Sequence, residues 1–497
     1  MYLRFLLTGS LTLVALSMGC AAFSGESVRT SSLAEERLFL DSELLPQGIA
    51  IGDVSSERAL LWLRTDGPAC VRVEWAPLSL WETASKLATA VAPVPSTAFI
   101  ATTAETDYTL TVPLERLRPS TSYRYHVSIG PVEPANKKTY AKLAARGEFT
   151  TLPDDTTSAI VTFAWSGDLG GQGRCRRGVG GYPIFDVIPR QNPDFFLFLG
   201  DTIYSDHVCP SPPNEPGADF KATTLQTYRL RHRYQRGAEA LQRFLRTVPT
   251  YVIWDDHEVK NNFAGPFEEQ MPAGRQALRE YWPIASPAED PHRMYRRVRY
   301  GAELELFLLD VRQYRSRNAD LDGPDKTMLG SAQLKWLLDG LHASTATWKV
   351  IVTSVPLSIS KGGDSSVPGN DGWAGGEDGT GFERERQVIV DAILNHKIEN
   401  VVFLSGDVHW AEANAYDLDQ DGLIDFHEYI AGPLSAATGR FSPTRDGLHP
   451  TQLFRGSSYH NFGLARVTKD AFEVTMVDEA GEKRFSHRVP AREGRKK

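Results

Sequence analysis

The spacing of apolar and polar residues divides the chain into two regions. From Gln47 to about Thr151, short runs in which apolar and polar residues alternate are separated by proline and glycine. Such period-2 runs predict an antiparallel β-sandwich. After Pro153, longer and continuously apolar runs alternate with stretches of helical periodicity at residues 224–247, 331–342 and 383–395. Because continuous apolar strands separated by helices are typical of a sheet covered on both faces, this region is predicted to be an α/β domain.

Domain boundaries follow from these changes in pattern and from the two chain ends. Arg4 precedes an apolar run from Phe5 to about Val14, which is shorter than the roughly 20 residues that span a bilayer and fits a secretory signal peptide. Cys20, after Gly19, resembles a bacterial lipoprotein cleavage site, so lipid attachment at Cys20 is one option. The predicted parts are a signal peptide at 1–20, a linker at 21–45, the β-sandwich at 46–152, the α/β domain at 158–482 and a basic, disordered tail at 483–497.

Composition and charge narrow the function classes. The length of 497 residues favours two domains, and the 41% apolar and 23% charged content is typical of a soluble globular protein. The net charge of −8 argues against nucleic-acid binding driven by charge. Export predicts an oxidising compartment. We therefore favour a disulfide between Cys175 and Cys209, with metal ligation as the alternative, whereas Cys70 lies in an apolar run and is predicted to be a buried free thiol.

Four of the predicted strands end in acidic turns. The runs IVTFAWSGD, FLFLGDTIYSD, YVIWDDHEVKNN and NVVFLSGDVHW place Asp168, Asp201, Asp256 and Asp407 directly after apolar strands. A single aspartate there is usually a helix cap or a turn former, but four such ends, two with a histidine nearby, favour one shared metal site. Ligands gather beyond the carboxyl ends of strands in open α/β sheets. Carboxylates suit hard cations and imidazole suits transition metals, and a pair of metals can hold a phosphate and activate a water molecule.

Two of these segments offer a second ligand each. Tyr204 follows Asp201 by three residues, so one turn beyond the strand directs both side chains at the same point. A tyrosinate suits a hard trivalent ion such as Fe³⁺, and the alternative is a phenol hydrogen-bonded to a ligand carboxylate. Asp407 and His409 alternate along a strand end and therefore face the same side.

The segment YVIWDDHEVKNN contains adjacent polar residues that cannot all bind one metal. Asp256, Asn261 and Asn262 are alternative ligands, and the sequence does not choose between them. We expect His257 to point at the substrate, where it acts as an acid or as a charge-stabilising donor.

Three blocks, GDTIYSD, WDDHEVKNN and SGDVHWAEA, contain the strand ends at Asp201, Asp256 and Asp407. Two further blocks, LDVRQYRS (residues 309–316) and MLGSAQLKWL (residues 328–337), lie between the second and the third. Together they resemble the alkaline phosphatase D (PhoD-like) family of the calcineurin-like metallophosphoesterases. QGIAIGDVSSERALLWLRT and LRPSTSYRY resemble the N-terminal domain of the same family. The resemblance implies a four-layer α+β metallophosphoesterase sandwich, preceded by a fibronectin- or immunoglobulin-like β-domain.

The resemblance also implies a ligand set and a pair of metals. The implied ligands are Asp201, Tyr204, Asp407 and His409, completed by Asp256 or a nearby asparagine, and the implied cluster contains Fe³⁺ and Ca²⁺. The chain departs from the family at Asp168, where the family often has a Ser-Cys block whose cysteine binds metal. Asp168 resembles the first aspartate of the broader superfamily, so the site is also compatible with Mn or Zn.

A glycine-rich turn beside Asp168 adds positive charge. The turn at residues 170–173 exposes backbone N–H groups, which favour anions, and Arg174, Arg176 and Arg177 follow it. Arginine forks match phosphate oxygens, so we expect a phosphate clamp in which Arg174 and Arg176 take part. The alternative is a solvated loop whose charges face water.

The segment DLDQDGLIDFHE fits the twelve-residue calcium loop. Its predicted ligands are Asp417, Asp419, Asp421, the carbonyl of Leu423, Asp425 and Glu428. The flanking residues have strand rather than helix patterns, so we expect a structural Ca²⁺ at a hairpin tip, separate from the catalytic metals. The alternative is an acidic turn without an ion.

These features predict an exported, metal-dependent phosphoester hydrolase in which a metal-activated hydroxide attacks a small phosphomonoester or phosphodiester. The glycine-rich segment 361–382 is predicted to be a loop at the rim of the site. Contact with a membrane is expected only through a lipid at Cys20, and the sequence does not predict an oligomeric state. The alternative from another class is a calcium-binding surface or adhesion protein on a non-catalytic phosphatase scaffold.

Overall fold

The computed structural model describes residue 20 and residues 38–81, 94–132, 141–178, 180–361, 368–375, 379–441 and 447–492. The predicted signal segment before Cys20 and the last five residues lie outside this range. Parts of the predicted linker and of the glycine-rich segment also lie outside it. Three sheets and six α-helices are formed by the residues described.

A nine-stranded mixed sheet and a seven-stranded mixed sheet form the centre of the molecule. In spatial order the first contains β21 (Lys483–Pro490), β20 (Ala471–Asp478), β19 (Asn461–Val467), β9 (Val161–Ser166), β10 (Phe195–Leu199), β11 (Thr250–Ile253), β2 (Ile49–Gly52), β3 (Arg58–Arg64) and β6 (Thr109–Glu115). The second contains β12 (Arg296–Tyr300), β13 (Leu304–Leu308), β14 (Trp348–Val352), β15 (Val401–Ser405), β17 (Phe426–Ile430), β16 (Ala411–Tyr416) and β18 (Thr451–Gly456).

The third sheet and the helices complete the layers. The third sheet is antiparallel and contains β1 (Phe39–Leu40), β8 (Lys142–Thr150), β7 (Ser122–Gly130), β4 (Ala69–Pro77) and β5 (Ile100–Thr102). The α-helices are α1 (Ile184–Val187), α2 (Leu225–Arg236), α3 (Glu239–Thr247), α4 (Met271–Tyr281), α5 (Gly330–Ala343) and α6 (Glu383–Asn395). Short 3₁₀ turns occupy Ala104–Thr106, Ile188–Gln191 and Gly265–Phe267. The helix predicted at 224–247 is therefore two helices, α2 and α3, separated at Gly237 and Ala238.

The two central sheets pack face to face between two helical layers. Along β10, Phe195, Leu197 and Leu199 belong to the core shared with β13, β14 and β15, whereas Phe196 and Phe198 pack with α1 and α3. Alternate residues of a strand face opposite sides, which is why a continuously apolar strand fills two cores. The outer face of the second sheet is covered by α5 and α6. The predicted four-layer arrangement is present.

The N-terminal strands are divided between two sheets. The antiparallel third sheet agrees with the prediction, but β2, β3 and β6 extend the nine-stranded sheet of the α/β region. Gly52 of β2 pairs in parallel with Thr250 of β11, and the amide of Asp53 donates to the Thr250 carbonyl at 3.1 Å. Without β2, the backbone groups of β11 would form an open edge.

Two predicted boundaries need correction. Residues 483–490 were predicted to be part of a disordered tail, yet they form β21, which pairs along the length of β20. Exposed edge strands tolerate alternating charged residues, so a basic pattern did not exclude a strand. Phe39 and Leu40 lie within the predicted linker but form β1, paired with β8.

The cysteines pair in two disulfides. The predicted Cys175–Cys209 bridge is confirmed, and both residues are buried beside Tyr234. The prediction of a free thiol at Cys70 is wrong, because Cys70 is bonded to Cys20. An apolar neighbourhood predicts burial, but it does not distinguish a thiol from half of a bridge. A sulfur in a disulfide cannot carry a lipid, so this bridge and lipid attachment at Cys20 exclude each other.

Within the residues described, no helix is long and apolar enough to cross a membrane.

Candidate metal centre

The four acidic strand ends meet where the two central sheets face each other. Asp168 follows β9, Asp201 follows β10 and Asp256 follows β11, and these three strands are parallel neighbours. Asp407 follows β15 of the facing sheet. Parallel strands end at the same edge, so adjacent strand ends bring their turns together.

Three overlapping groups of ligand-type side chains lie there. Asp168, Asp201 and His409 form the first group, Asp201, Asp256 and His257 the second, and Asp255, Asp256 and Asp407 the third. Within each group the ligand-type atoms lie within 4.8 Å of one another. Because Asp201 and Asp256 each belong to two groups, the three form one continuous buried cluster.

The cluster has more negative charge than its neighbours neutralise. Among the described residues, the buried oxygens Asp168 Oδ2, Asp201 Oδ2, Asp256 Oδ1 and Asp407 Oδ2 have no hydrogen-bond partner. Burial, Asp256 and Asp255 raise the pKa of the Asp201 carboxyl well above its usual value. A buried carboxylate without a partner is costly unless a cation binds it. Four such oxygens, together with an imidazole and a phenol, fit a site for two metal ions.

The turns that carry these side chains have left-handed backbone. Asp168, Asp201, Asp407 and His409 have φ values of 63°, 53°, 68° and 63°. Asp and Asn adopt this region more readily than most residues, and such strain concentrates at functional sites. Asn262 also has a positive φ of 55°, and its amide donates to Asp256 Oδ2 at 2.6 Å. The structure therefore places Asn262 beside Asp256, buried at the edge of the cluster.

Tyr204 and His409 meet on the Asp168 side. The Tyr204 hydroxyl lies 2.8 Å from His409 Nε2, and Asp168 Oδ1 lies 3.4 Å from the same nitrogen. His409 Nδ1 bonds to the Ala437 carbonyl. Because a carbonyl only accepts, Nδ1 carries the proton, and the lone pair of Nε2 faces the cluster in the neutral ring. Burial and the Asp201 carboxylate raise the pKa of Tyr204 well above its usual value, so the phenol stays protonated until a cation offsets that charge.

Glycines allow backbone to approach this side closely. A Cβ on Gly171 would lie 2.1 Å from Cγ of Tyr204, and a Cβ on Gly432 would lie 2.4 Å from Asp168 Oδ2. Gly171, in the predicted phosphate-binding turn, therefore packs against the Tyr204 ring. Gly432 lets the chain after β17 close over Asp168.

The sequence DDHE gives each residue a different task. Asp255 Oδ1 accepts from Arg312 Nε and from Ser354 Oγ, both at 2.6 Å. Glu258 accepts from the amides of Asp201 and Thr202 and so holds the turn after β10. Asp256 is left to face the cluster. Only Asp256 of these acids was predicted from the sequence as a candidate ligand, since adjacent acids give no spacing signal that separates Asp256 from Asp255 or Glu258.

His257 is held by an aspartate that the sequence analysis did not select. His257 Nδ1 lies 2.7 Å from Asp206 Oδ1, and Asp206 Oδ2 accepts from the Asn261 amide at 2.9 Å. Burial alone would lower the pKa of His257, but Asp256 and Asp206 raise it to about 9. His257 Nε2 lies 4.0 Å from Asp256 Oδ1, so the ring lies beside the cluster. The backbone amide of Asn261 thus helps to hold Asp206 in place.

A lysine from the glycine-rich segment also reaches the cluster. Lys361 Nζ lies 2.5 Å from Asp407 Oδ1, and the side chain of Lys361 is 31% exposed. Burial would lower the pKa of this ammonium, but Asp407 and Asp256 raise it above its usual value. Sequence reasoning missed Lys361 because its partner is 46 residues away and a lone lysine in a loop carries no motif.

A buried network of ion pairs holds the glycine-rich segment in place at Asp371. Arg312 forms a fork on Asp371, with both bonds at 2.7 Å, and Arg315 Nη1 donates to Asp371 Oδ1 at 2.9 Å. All three side chains are fully buried. Arg312 also holds Asp255, so the network joins the segment around Asp371 to the turn after β11. The predicted rim loop is therefore anchored in the interior at this point.

The predicted arginine clamp is not assembled. Arg176 Nη1 donates to the Tyr234 carbonyl at 3.0 Å, and its guanidinium lies over the Tyr234 ring. Arg177 bonds to the Gly173 carbonyl, and Arg174 is exposed without an ion pair among the described residues. The Cys175–Cys209 bridge buries the middle of this turn and turns the arginine at 176 toward α2. The placement of Arg174 and Arg176 thus agrees with the alternative of a structural or solvated loop.

The acidic segment at 417–428 forms a hairpin tip between β16 and β17, as predicted. Asp417, Asp419 and Asp425 converge within 4.8 Å, and Asp421 accepts from the Leu423 amide at 2.8 Å. The prediction that Glu428 closes the loop is wrong. Glu428 is buried and accepts from the Leu357 amide, Ser405 and Tyr416. A strand begins at Phe426, and extended chain carries residue 428 away from the loop, where a helix would have returned it.

Comparison with known proteins agrees with this geometry. The PhoD-like phosphatase family matches residues 163–480, and the family described as PhoD-like phosphatase, N-terminal domain, matches residues 32–153. Alkaline phosphatase D of Bacillus subtilis (strain 168) is 29% identical over 370 residues, which cover 67% of this chain. The match spans 61% of the length of that relative.

Two solved structures share the fold. A structure of PhoD matches with a TM-score of 0.69 at 22% identity, over 92% of this chain and 94% of that chain. A purple acid phosphatase from yellow lupin (Lupinus luteus) seeds matches with a TM-score of 0.60 at 13% identity, over 90% of this chain and 75% of that chain. At these identities the likeness shows the fold alone, and it confirms the predicted fold class, a four-layer sandwich. Because the family match includes every strand end of the metal centre and well over half of the sequence, this chain belongs to the PhoD-like phosphatase family.

Proposed function

We propose that this protein is an exported, metal-dependent phosphoester hydrolase that acts on small phosphoesters. The observation that carries the proposal is a set of four buried carboxylate oxygens, from Asp168, Asp201, Asp256 and Asp407, that have no partner in the part of the chain that the structure describes. A scaffold that only bound calcium at its surface would not need to keep this uncompensated charge in its interior. The observed cluster therefore disfavours the adhesion alternative.

The residues divide between two metal positions. Asp168, Asp201, Tyr204 and His409 would hold one metal, and Asp201, Asp256, Asn262 and Asp407 would hold the other. When bound, the metals supply charge that binds phosphoryl oxygens and lowers the pKa of a coordinated water. The phenol favours a hard trivalent ion such as Fe³⁺ at the first position, while Ca²⁺, Mn²⁺ or Zn²⁺ fit the second.

His257 acts beside the metals. Asp206 fixes the ring through Nδ1, so Nε2 is the atom directed at the cluster. In its protonated form the ring donates to a phosphoryl oxygen or gives a proton to the leaving alcohol. This proposal assigns Asp206 the role of a positioning residue, in the same way that a carboxylate orients a catalytic imidazole elsewhere.

Two further parts of the proposal concern location and calcium. Two disulfides within the described residues support export, since disulfides persist in oxidising compartments. The converging carboxylates of Asp417, Asp419 and Asp425 support a structural Ca²⁺ at the hairpin tip, without Glu428. Neither part is needed for the hydrolase reaction itself.

The proposed activity is tested by hydrolysis assays of the purified protein, reconstituted in turn with Fe, Mn, Zn and Ca. We expect turnover of a phosphomonoester, a phosphodiester or both with at least one metal. We expect Asp407→Asn to abolish turnover while the circular dichroism spectrum is unchanged. A folded wild-type protein that hydrolyses neither ester class with any metal would contradict the proposal.

A further inference from the structure

We propose that Lys361 is a phosphate-binding residue of this centre that favours the dianionic group of a phosphomonoester over a phosphodiester. This inference rests on the proposed hydrolase function and goes beyond it by naming the recognition group and the ester class. The observations that carry it are the position of the ammonium, its unused bonding capacity and the rigidity of its support.

The ammonium lies on the rim of the cluster rather than inside it. Lys361 Nζ is 2.5 Å from Asp407 Oδ1, and its contact with the Asp407 carbonyl is longer, at 3.4 Å. The other carboxylate oxygen, Oδ2, remains buried without a partner among the described residues. The side chain of Lys361 is 31% exposed, whereas that of Asp407 is 3% exposed. The lysine therefore leaves Oδ2 for a metal and stands between the buried carboxylates and solvent.

Among the residues that the structure describes, the ammonium uses at most two of its three donors. Asp407 Oδ1 accepts one, and the more distant Asp407 carbonyl accepts at most a second. A donor beside a metal ligand is well placed for an oxygen of a phosphoryl group that the metals hold. Lysine is a point charge suited to phosphate, and a charge-assisted bond is stronger than a neutral one.

The backbone under Lys361 is fixed. The Lys361 carbonyl accepts from the Asp371 amide at 3.1 Å, and Asp371 is clamped by Arg312 and Arg315 in the buried ion network. Ser360 Oγ donates to Asn370 Oδ1 at 2.9 Å. A lysine that only neutralised Asp407 would not require such support, whereas a group that positions a substrate gains from it.

Charge decides between the two ester classes. At neutral pH a phosphomonoester has close to two negative charges and three terminal oxygens, while a diester has one charge and two such oxygens. Lys361 and His257 add the positive charges of two side chains to the positive charge of the metals. A further fixed positive charge at the rim stabilises the dianion more than the monoanion.

The test compares Lys361→Met with Lys361→Arg and with Lys335→Met, a control on the exposed face of α5 where Lys335 pairs with Asp339. Binding of inorganic phosphate to each metal-loaded protein is measured by calorimetry, and metal content by elemental analysis. For Lys361→Met we expect unchanged or increased metal content and phosphate Kd higher by about tenfold or more, since a charge-assisted bond is lost. Lys361→Arg keeps the charge and should recover most of the affinity, and Lys335→Met should match the wild type.

Kinetics supply the second readout. KM for p-nitrophenyl phosphate should rise in Lys361→Met by a larger factor than KM for bis(p-nitrophenyl) phosphate. Unchanged phosphate affinity in Lys361→Met, or a loss of affinity that only follows a loss of metal, would overturn the inference. Either result would leave the proposed function standing if the wild type turns over an ester. Conversely, a wild type that binds phosphate but hydrolyses no ester would overturn the proposed function.

Discussion

At the scale of single residues, the chemistry depends on which atoms of a short polar turn face the cluster. In the DDHE turn, Asp255 binds Arg312, Asp256 faces the metal positions, His257 binds Asp206 and Glu258 holds the preceding turn. Four consecutive side chains can have four roles because the turn changes direction after β11. A substitution at each of these four positions should therefore impair the protein in a different way.

Asp206 provides the sharpest residue-level prediction. Asp206→Asn should keep the metals but lose the negative charge that holds the protonated Nδ1 of His257. We expect kcat to fall by about 10- to 100-fold, because partners of this kind typically have that effect. The measurement is kcat together with metal content, and Asp186→Asn, which alters an exposed pair with Arg243, is the matched control. Activity equal to the control would show that His257 does not depend on Asp206.

Residues at strand ends could be predicted from the sequence, whereas their distant partners could not. Asp168, Asp201, Asp256 and Asp407 each follow an apolar strand, so a local pattern marks them. Asp206 and Lys361 meet their partners across 51 and 46 residues, and no local spacing encodes such a contact. The packing of Arg176 on the Tyr234 ring could not be predicted either, because a charge next to a glycine turn does not reveal that distant partner.

At the scale of elements, the buried network joins the glycine-rich segment to the metal centre. Asp371→Asn would leave Arg312 and Arg315 without their shared counter-charge in a fully buried place. Breaking a buried pair from one side costs about 3–5 kcal/mol, so we expect a loss of that size in the free energy of unfolding. Denaturant titration measures it, with Asp339→Asn as the control. That control removes an exposed partner of Lys335, so it should cost about 1 kcal/mol or less.

A loss for Asp371→Asn no larger than that of the control would show that the network does not stabilise the fold. A loss of stability together with a raised KM is the expected pattern, since Asp371 also supports the backbone of Lys361.

The acidic hairpin tip at residues 417–428, where we propose a structural Ca²⁺, gives a second prediction for an element. In an Asp201→Asn background, which removes the catalytic cluster as a calcium site, Ca²⁺ should raise the Tm. Saturation at about 100 times the Kd corresponds to about 2.7 kcal/mol. Asp417→Asn should abolish the shift, because Asp417 belongs to the converging group. Glu428→Gln should lower the Tm but keep the shift, because Glu428 bonds to Leu357, Ser405 and Tyr416 instead. Loss of the shift in Glu428→Gln alone would reverse this assignment.

At the scale of the whole molecule, the N-terminal region and the α/β region share one sheet. The sequence predicted two domains, because the alternating pattern changes to continuous apolar strands near Pro153. It could not show that β2 pairs with β11, since the pairing of strands about 200 residues apart depends on tertiary packing. Asp107 joins the regions further, with contacts to Arg64, Arg233 and Tyr281.

This continuity predicts cooperative unfolding. Scanning calorimetry should show one transition for the whole chain, and Asp107→Ala should lower its Tm, because the substitution leaves Arg64 and Tyr281 without a buried partner. Two well-separated transitions in the wild type would show that the two regions unfold independently, in spite of the shared sheet.

The claim on which the account rests is that the buried carboxylates hold metal ions. Elemental analysis of the purified wild type and of Asp201→Asn, run beside the phosphoester assay, tests it most directly, because Asp201 belongs to two of the three overlapping groups. We expect tightly bound metal in the wild type, with Asp201→Asn folded, depleted of that metal and inactive. A folded wild type that hydrolyses phosphoesters without metal, or an Asp201→Asn protein that keeps both metal and activity, would contradict the account.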